Sequence, residues 1–440
     1  MSLTANNPDQ RRPLRVALAG IGVVGGGVVR LLETNRDLIT RRAGRPIEIV
    51  ALSARDRHKD RGVDLSPYRW EDDMGALAAA DDIDVVVEMI GGADGPALTL
   101  ARQSLGAGKA LVTANKAMIA HHGLDLASLA EEKATALKYE AAVAGGVPVI
   151  KAIREGASAN EIARVYGILN GTCNYILTLM ERDGASFDDA LAAAQAQGYA
   201  EADPTFDVEG IDAAHKLAIL ASLCFGTRLN IDAVSTNGIR NLIADDIREA
   251  EALGHRVRLI GMAEHDRDHG LYQRVQPCLV PADHPLAYVP GALNAVVAEG
   301  NFVGRLFFEG AGAGAGPTAS AIVADIIDIA REEFGPAFAM PVKALDEAAI
   351  ADVGSRIGKH YVRLIVQDRL GVLAEIATAM RDAGVSIESF IQRGTETADD
   401  VVIALVTHEG PARAIQQALA TLESSDFIIG TPMQMPILSL

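Results

Sequence analysis

The chain has 440 residues, of which 49% are hydrophobic and 22% are charged, and its formal net charge is −18. This length accommodates two or three domains with their own cores, and the composition is that of a folded protein rather than a disordered one. The acidic charge argues against nucleic acid as a partner, because binding to a phosphate backbone relies on a basic surface.

Residues 1–13 lack the apolar core of a signal peptide, and no segment approaches the length of an uninterrupted membrane span. We therefore expect a cytoplasmic protein without a membrane partner. Cys173, Cys224 and Cys278 are odd in number and far apart in the sequence. This spacing indicates neither a disulfide framework nor a zinc site, and we expect free, mostly buried thiols.

The first strongly patterned stretch is the apolar run Leu14–Gly20, which ends in a glycine-rich turn and is followed by a helical pattern at Val28–Glu33. In this turn the first glycine allows a tight bend, the second lets a pyrophosphate approach the backbone, and the third lets the helix lie close to the strand. A merely tight turn is the alternative, but the flanking strand and helix favour a dinucleotide site. Its predicted contacts are Gly20, Gly22, Val23, Val24 and Gly25.

Four more short apolar runs follow, and helical patterns separate the last three. They are Ile47–Leu52, Val85–Ile90, Ala110–Thr113 and Leu137–Val143. Buried strands alternating with helices predict a parallel, doubly wound sheet, so we expect a Rossmann-type dinucleotide-binding domain over residues 1–150. Such sheets bind ligands beyond the carboxyl ends of their strands, which makes Gly91–Gly92, Asn115–Lys116 and Ala144–Gly146 candidates for the crevice.

The residues after the second run bear on the choice between NADP and NAD. An acidic residue at this position would bind the ribose 2′-hydroxyl of NAD, whereas Ser53, Arg55 and Arg57 suit a 2′-phosphate. The position modestly favours NADP. A solvated basic loop explains Arg57 equally well.

Residues 151–350 show a longer mixed pattern, which predicts an α+β substrate and dimerisation domain whose last helices can pack back on the first domain. The predicted elements are strands at Glu161–Leu169, Arg256–Glu264, Leu271–Val280 and Arg305–Gly310 and helices at Asn174–Met180 and Ile322–Ile329. Alternating glycine and alanine at residues 311–316 is typical of a linker. The strand before it, the helix after it and Pro317 favour instead a backbone cradle for an anion or a nicotinamide ring.

Residues 355–440 form a separate pattern. Strands and helices alternate as βαββαβ over about residues 360–436, which predicts a C-terminal ferredoxin-like sandwich. The predicted elements are strands at Tyr361–Val366, Val385–Phe390, Val401–Val406 and near Phe427, and helices ending at about Asp382 and spanning Pro411–Leu422.

The stretch Tyr199–Lys216 concentrates negative charge beside one lysine. Its acidic residues are Glu201, Asp203, Asp207, Glu209 and Asp212. From about Ile211 the pattern is helical and places Asp212 and Lys216 four apart on one face. An isolated pair of this kind is usually an ordinary surface pair, but the apolar run Leu217–Leu220 indicates that this helix is packed. A calcium loop is set aside, because the order of the acids is not that of an EF-hand.

Such a stretch suits a small hydroxy or aldehyde amino acid as the substrate. Carboxylates can bind its ammonium group, and a lysine can exchange a proton with the reacting oxygen if burial and neighbours bring its pKa toward neutrality. A dinucleotide cofactor would supply the hydride.

Six segments carry a resemblance over nearly the whole chain. They are Gly20–Gly26, Thr113–Ala117, Glu140–Pro148, Asn170–Leu177, Ala202–Lys216 and Gly314–Ser320. In these segments, in this order, the chain resembles the homoserine dehydrogenases with a C-terminal ACT domain. The resemblance implies reversible interconversion of L-homoserine and L-aspartate 4-semialdehyde with NADP or NAD, in the biosynthesis of threonine, methionine and isoleucine.

The resemblance also implies roles for individual residues. Lys216 would donate and accept the proton, Asp212 would orient Lys216 and the substrate hydroxyl, and Lys116 would stand beside the nicotinamide and the reacting oxygen. Glu201, helped by Asp207, would bind the substrate ammonium. The further cofactor contacts would be Lys116, Gly198, Glu201 and Gly314.

A cation, a regulator and an assembly are implied as well. Sodium would bind Glu140 and the backbone carbonyls of Val143, Gly145 and Val147. Threonine, the pathway product, would bind the loop from Asp368 to Gly371, although related domains can lose the ligand and serve only in assembly. A homodimer or homotetramer is expected.

Two other functions are weighed against this one. An aspartate-semialdehyde dehydrogenase would need a nucleophilic cysteine, and only Cys173 is a candidate, with no histidine close to it in sequence. A non-catalytic amino-acid sensor would use the first domain only for assembly.

Overall fold

The computed structural model of the protein describes residues 11–266, 268–394 and 400–439. Its strands form a six-stranded parallel sheet, a six-stranded mixed sheet and a four-stranded antiparallel sheet, together with a two-stranded pairing. The predicted fold class, with a Rossmann-type unit, an α+β unit and a ferredoxin-like unit, is confirmed.

The first sheet has the strand order β3-β2-β1-β4-β5-β6, and all of its pairings are parallel. The strands are β1 (Leu14–Ala19), β2 (Ile47–Ser53), β3 (Arg69–Trp70), β4 (Val85–Glu88), β5 (Ala110–Thr113) and β6 (Leu137–Lys138). The helices are α1 (Val23–Thr34), α2 (Arg36–Ala43), α3 (Gly75–Ala79), α4 (Pro96–Gly106) and α5 (Lys116–Glu132). The order reverses between β1 and β4, which opens the ligand crevice of a doubly wound sheet at their carboxyl ends.

The strand predicted over Leu137–Val143 is wrong beyond its first two residues. The strand ends at Lys138, and a 3₁₀ helix spans Glu140–Ala142. The Glu140 backbone N–H donates to the Asp325 carboxylate at 2.8 Å, and Ala144 and Gly145 both have positive φ, at 53° and 48°. These bonds come from elements distant in sequence, so apolar periodicity alone could not reveal the turn.

The second sheet has the order β12-β11-β7-β9-β10-β8, and only the β10–β8 pairing is parallel. Its strands are β7 (Ile162–Ile168), β8 (Ser235–Thr236), β9 (His255–Asp266), β10 (Gly270–Pro281), β11 (Leu293–Gly300) and β12 (Gly304–Ala311). The helices of this unit are α6 (Val149–Lys151, continued as a π-helix over Ala152–Gly156), α7 (Gly171–Asp183), α8 (Phe187–Ala196), α9 (Thr205–Val208), α10 (Ile211–Phe225), α11 (Ala244–Ala252) and α12 (Ala315–Arg331). Short 3₁₀ helices lie at Ile231–Ala233, Pro285–Tyr288, Val342–Ala344 and Val353–Ser355.

Helix α12 leaves the second unit and packs on the first. Its apolar residues Ala319, Ile322 and Ile326 belong to the same buried cluster as Val16 and Val28. The approach to α1 is close, because a Cβ on Gly27 would lie 2.5 Å from the Ala315 carbonyl oxygen. The first sheet is therefore covered on one side by a helix that the chain supplies almost 200 residues after β6.

The C-terminal unit has the order β15-β16-β14-β18, with every pairing antiparallel. Its elements are β13 (Ile357–Gly358), β14 (His360–Gln367), α13 (Val372–Asp382), β15 (Ile387–Gly394), β16 (Asp400–Thr407), β17 (Gly410–Pro411), α14 (Ala412–Glu423) and β18 (Ile428–Pro436). Apart from the two-residue strands, this is the predicted βαββαβ order.

The C-terminal unit contacts the second unit through buried groups. Arg363 Nε donates to Asp246 Oδ1 at 3.0 Å, and the side chains of both residues are at most 5% exposed. Leu438, after β18, donates its backbone N–H to the Leu279 carbonyl at 2.8 Å. In the three described ranges of the chain, no helix is both long and apolar enough to cross a membrane.

Candidate active site

Helix α10 carries the two central side chains of the site. Gly210, with φ of 81°, precedes the helix, and from Asp212 to Leu223 every residue is buried. The Lys216 ammonium donates to Asp212 Oδ2 at 2.7 Å, one turn earlier on the same face. The predicted pair is therefore present, and it lies in the interior rather than on the surface.

The Asp212 carboxylate lies between two lysines. Its second oxygen, Oδ1, is 3.0 Å from Lys116 Nζ, and the Lys116 side chain is 35% exposed. Lys116 is the first residue of α5, which starts at the carboxyl end of β5 in the first sheet. One buried carboxylate thus joins the dinucleotide-binding unit to the second unit at the crevice.

A carbonyl oxygen fixes the other side of the Lys216 ammonium. Lys216 Nζ donates to the Leu169 backbone oxygen at 2.7 Å, and Asn294 Nδ2 donates to the same oxygen at 3.0 Å. Leu169 follows β7, and Asn294 lies on the neighbouring β11. The lysine is therefore positioned by the second sheet as well as by its own helix.

Asn170 links two of the carboxylates. Its Nδ2 donates to Asp207 Oδ1 at 2.7 Å and to Asp212 Oδ2 at 2.8 Å, while its Oδ1 accepts from the Cys173 backbone N–H at 2.8 Å. The last bond caps the N-terminus of α7. The amide nitrogen of Asn170 therefore bridges Asp207 and Asp212, while the oxygen of the same side chain fixes it to the start of α7.

Burial and charge shift the pKa values of these groups in different directions. Burial lowers the pKa of Lys216, and the positive charge of Lys116 lowers it further. The negative charge of Asp212 acts in the opposite direction but does not cancel the effect of burial. Burial alone would raise the pKa of Asp212, but the two lysine charges and the hydrogen bonds from Lys216 and Asn170 outweigh it and hold that pKa low. Burial raises the pKa of Asp207. The site thus combines a firmly ionised aspartate with a lysine that loses its proton more readily than usual.

The Lys116 ammonium lies beside one ring of a small aromatic cluster. Lys116 Nζ lies 5.7 Å from the centre of the Phe206 ring, and that ring packs edge-on to His215 with centres 5.5 Å apart. His215 also meets His121 at 5.2 Å. Burial and the neighbouring His121 lower the pKa of His215 to about 4, so this imidazole is neutral at pH 7.

The remaining acids of the Tyr199–Lys216 stretch are placed apart from this network. Glu201 and Gly198 lie on an exposed segment between α8 and α9. Asp203 accepts the Thr205 backbone N–H at 3.1 Å and shapes the turn. Glu209, for which the sequence suggests no role, pairs with Arg240 at 2.7 Å.

The glycine-rich turn after β1 has the geometry of a dinucleotide site. Gly20 has φ of 92°, and a Cβ on Gly25 would lie 2.6 Å from the Gly20 carbonyl oxygen, so the helix lies against the turn. Around Gly22 a Cβ would meet nothing within 4 Å, and no side chain caps α1. Val23 at this end is 76% exposed and Val24 is half-buried. The open N-terminus of α1 fits a pyrophosphate.

The residues proposed for the ribose end lie at the end of β2. Ser53 is the last residue of this strand and is buried, and Arg55 is exposed two residues later. An exposed guanidinium beside a buried hydroxyl fits a 2′-phosphate on the ribose.

The glycine–alanine stretch is held by close packing rather than acting as a linker. A Cβ on Gly145 would lie 2.3 Å from the Gly312 carbonyl oxygen, and one on Gly312 would collide with the Asn294 side chain at 2.2 Å. Gly314, with φ of 118°, precedes α12, and Pro317 lies in the first turn of that helix. The backbone of the stretch therefore faces the same strand ends as the other crevice loops.

One of the predicted sodium ligands, Glu140, is a buried carboxylate. Glu140 is 2% exposed, and its two oxygens accept the backbone N–H groups of Ile150 and Lys151 at 3.0 and 2.8 Å. Burial and the nearby Asp325 raise the pKa of Glu140 to about 7. Val143, Gly145 and Val147 belong to one short segment, in which Ala144 and Gly145 have a left-handed backbone conformation. A buried carboxylate with peptide carbonyls is a set of hard oxygen ligands, which fits a sodium ion.

Cys173 does not have the surroundings of a nucleophile. It is fully buried, and its Sγ donates to the Asp207 carbonyl oxygen at 3.2 Å. Burial, together with the charges of Asp207 and Asp212, raises the pKa of this thiol well above its ordinary value. The thiolate that a nucleophilic mechanism requires is therefore disfavoured here.

Family models match most of the chain in three consecutive parts. The NAD-binding domain of homoserine dehydrogenase matches residues 20–140, homoserine dehydrogenase matches residues 148–327, and the ACT domain matches residues 360–424. A homoserine dehydrogenase of Pseudomonas aeruginosa is 44% identical over 430 residues, which cover 95% of this chain and 97% of that protein. The chain belongs to the homoserine dehydrogenase family. It is a nicotinamide-dependent oxidoreductase with a C-terminal ACT domain.

Solved structures agree with this assignment. The crystal structure of a homoserine dehydrogenase from Thiobacillus denitrificans has a TM-score of 0.91 and 40% identity, and the match covers 97% of this chain and 98% of that one. A hyperthermophilic archaeal homoserine dehydrogenase in complex with NADPH has a TM-score of 0.63 and 25% identity, over 74% of this chain and 100% of that one.

No role for Asn170, Asn294 or the Leu169 carbonyl is predicted from the sequence. Asn170 had a readable signal, because asparagine before a helical stretch is a typical N-cap. The two aspartates that it bonds, however, lie 37 and 42 residues further along the chain. Only the folded arrangement of β7, α7 and α10 shows them.

Proposed function

We propose that this enzyme interconverts L-homoserine and L-aspartate 4-semialdehyde with Lys216 as the proton donor and acceptor. The observation that carries the proposal is the buried Lys216 ammonium, which lies 2.7 Å from Asp212, while the other oxygen of Asp212 lies 3.0 Å from Lys116 of the dinucleotide-binding unit. A lysine of lowered pKa can give a proton to an alkoxide and recover it from water.

In the reductive direction, the aldehyde carbon gains a hydride, which the nicotinamide supplies when bound, and its oxygen takes a proton from Lys216 Nζ. Lys216 is then neutral and is reprotonated from solvent, which balances the charge. In the oxidative direction the neutral amine accepts the hydroxyl proton. Asp212 orients Lys216 and the substrate hydroxyl, and Lys116 stabilises negative charge on the reacting oxygen from the other side.

The substrate ammonium is assigned to Asp207 and Glu201. Asp207 is held by Asn170 beside Asp212, so it presents a carboxylate at the site. Glu201 is exposed on the segment before α9, and the resemblance assigns it, with Gly198, to the cofactor as well. Closure of that segment over bound substrate would bring the second carboxylate to the ammonium.

We assign NADP as the preferred cofactor, with NAD as the alternative. Gly20, Gly22, Val23, Val24 and Gly25 form the pyrophosphate turn, and Gly314 contacts the cofactor from the second unit. Ser53 and Arg55 suit the 2′-phosphate, and the archaeal relative was solved in complex with NADPH.

A sodium ion held by Glu140 and the carbonyls of Val143, Gly145 and Val147 would fix the segment after β6. Two close approaches tie that segment to the glycine–alanine stretch, at Gly145 to Gly312 and at Gly146 to Pro317. The ion would thus stabilise the border between the first two units.

Threonine is assigned to the ACT unit as a feedback inhibitor. Gly371, with φ of 97°, precedes α13, which has no side-chain cap, and Asp368 lies in the exposed loop before it. We further assign a cytoplasmic location and a homodimer or homotetramer.

One assay tests the reaction and separates it from its nearest rival. In the first mixture, NADPH and L-aspartate 4-semialdehyde are combined and the loss of NADPH absorbance is followed. In the second, NADP, the semialdehyde and inorganic phosphate are combined and the appearance of NADPH absorbance is followed. We expect NADPH oxidation in the first mixture and no NADP reduction in the second. The opposite pattern would indicate an aspartate-semialdehyde dehydrogenase, and no turnover in either would indicate a sensor.

A further inference from the structure

A cleft of about 570 Å³ lies between the second sheet and the ACT unit. Its walls are formed by β10, the segment between Thr236 and Asn241, the residues from Val353 to His360, α14 and β18. This volume is within the range of small-molecule sites, about 300–1,000 Å³. Asp368 and Gly371 are not among the described residues that line it, so it is separate from the loop assigned to threonine.

Cations outnumber carboxylates along this cleft. The lining contains Arg240, Arg274, Arg356 and Lys359 against Glu209 and Glu423. The chain as a whole has a net charge of −18. The attraction of this cleft for a small anion therefore depends on which of the four cations already has a carboxylate partner.

Arg274 is the cation whose charge is not compensated. Arg240 pairs with Glu209, Arg356 with Glu264 and Lys359 with Glu388. Arg274 makes no ion pair with any residue in the described parts of the chain, and its buried Nε has no hydrogen-bond partner there.

The surroundings of Arg274 are polar but neutral. Its Nη2 can donate to the Asn237 side-chain oxygen at 3.1 Å. His360 Nδ1 lies 3.1 Å from Gln434 Nε2. Burial lowers the pKa of His360 to about 4, with smaller contributions from the charges of Arg274 and Arg356. A half-buried guanidinium without an ion-pair partner, beside neutral hydrogen-bonding groups, is a receptor for a carboxylate or phosphate group.

We propose that this cleft binds a small anion carrying a carboxylate or phosphate group, with Arg274 as its principal contact. The guanidinium of Arg274 pairs with the anion, and Asn237 and Gln434 supply further hydrogen bonds. Binding compensates a charge that has no ion-pair partner in the described residues.

The same cleft is in contact with the segment that carries the catalytic helix. Glu209, which lines it, precedes Gly210 and α10 directly. The Ile239 backbone N–H donates to the Val208 carbonyl at 3.0 Å, and a Cβ on Gly238 would lie 2.3 Å from that same oxygen. An anion that draws Arg240 toward itself weakens the Arg240–Glu209 pair, and so shifts the first turn of α10 where Asp212 lies.

Binding is tested on the full chain without any turnover. The thermal midpoint is measured with succinate, with inorganic phosphate and with sodium chloride of equal ionic strength, for wild type, Arg274→Gln and Arg274→Lys. We expect one of the two probes to raise the wild-type midpoint by roughly 2 °C or more at saturating concentration. The probe that does so identifies a carboxylate or a phosphate ligand.

The variants distinguish this cleft from the cofactor site, where phosphate can also bind. We expect calorimetry to give about tenfold weaker binding for Arg274→Gln and an intermediate value for Arg274→Lys, which keeps the charge but loses the planar fork. Equal affinities in wild type and in a folded Arg274→Gln variant would overturn the proposal. Failure of both probes to exceed the chloride control would overturn it as well.

The coupling to α10 is tested by initial rates. We expect the bound probe to change the KM for L-aspartate 4-semialdehyde at least about twofold in wild type, because Asp212 lies near the shifted turn. Arg240→Gln should bind the probe yet lose this change. An unaltered kinetic response in Arg240→Gln would contradict the route through Glu209. Because binding is measured without turnover, its outcome is independent of the proposed reaction.

Discussion

Asp212 Oδ2 lies 2.7 Å from Lys216 Nζ, one turn earlier on a helix that is buried on all sides. Burial lowers the pKa of the lysine, and the lysine charges, which outweigh burial at the aspartate, hold the aspartate ionised. The pair is therefore more than a surface i,i+4 contact, because each partner sets the protonation state of the other in the interior.

Asp212→Asn removes the negative charge between Lys216 and Lys116. The two ammonium groups then face each other without compensation, so the pKa of Lys216 falls further and the acidic form is lost at lower pH. We expect kcat to fall by about 10² or more, and the alkaline limb of its pH profile for semialdehyde reduction to move to lower pH. Initial rates across a pH series measure both effects.

Asp203→Asn is the matched control for this variant. It changes the same functional group in the same Tyr199–Lys216 stretch, but Asp203 is exposed and bonds Thr205 in a turn. Its kcat should stay within about twofold of wild type, since surface substitutions of this kind have small effects. A comparable loss in both variants would show that the overall charge of the stretch, and not the lysine pair, is responsible.

Asn170→Ala removes the amide that holds Asp207 and Asp212 together. We expect a loss of about tenfold in kcat/KM for the semialdehyde, mostly in KM, because Asp207 is the proposed contact of the substrate ammonium. Because the same substitution removes the cap of α7, we also expect the free energy of unfolding to fall by ~1 kcal/mol. Ser186→Ala, which removes the cap of α8, should show a similar stability loss with unchanged kinetics. Unchanged kinetics for Asn170→Ala would rule out its positioning role.

Cys173→Ser tests the nucleophilic alternative. The buried thiol donates to the Asp207 carbonyl, and a serine hydroxyl can make the same bond. We expect kcat within about threefold of wild type, because no covalent step uses the sulfur in the proposed reaction. Abolished turnover in a variant of wild-type thermal midpoint would instead support a thiol nucleophile.

Arg55→Ala tests the cofactor assignment. The exposed guanidinium follows β2, where a 2′-phosphate would lie. We expect kcat/KM for NADPH to fall about tenfold and that for NADH to change less than twofold, because only NADPH carries the phosphate. Arg41→Ala, an exposed arginine at the end of α2, is the control and should leave both values unchanged. Equal losses for both cofactors would contradict a 2′-phosphate contact.

The fold was largely predictable because its signals are local. The parallel sheet follows from short apolar runs separated by helices, and the ACT unit follows from its element order. The exception is the segment after Lys138, where Glu140 bonds to Asp325, Ile150 and Lys151 and turns the chain. The periodic spacing of apolar residues carries no information about hydrogen bonds between residues so far apart in the sequence.

The site was predictable to the extent that one helix carries it. Asp212 and Lys216 are four residues apart, so the helical period alone brings them together. Lys116 reaches Asp212 from another unit, Asn170 reaches it from the turn after β7, and Asn294 bonds the Leu169 carbonyl that also holds Lys216. The strand-end rule made Lys116 a candidate for the crevice and the resemblance supplied its role. The bonds of the two asparagines became visible only in the folded chain.

The most direct test of the account is kcat for NADPH-dependent reduction of L-aspartate 4-semialdehyde by Lys216→Ala. We predict a loss of about 10²–10⁴ relative to wild type, with the dissociation constant of NADPH and the thermal midpoint close to wild type. A folded Lys216→Ala variant that retains wild-type kcat would contradict the assignment of Lys216 as the proton donor and acceptor.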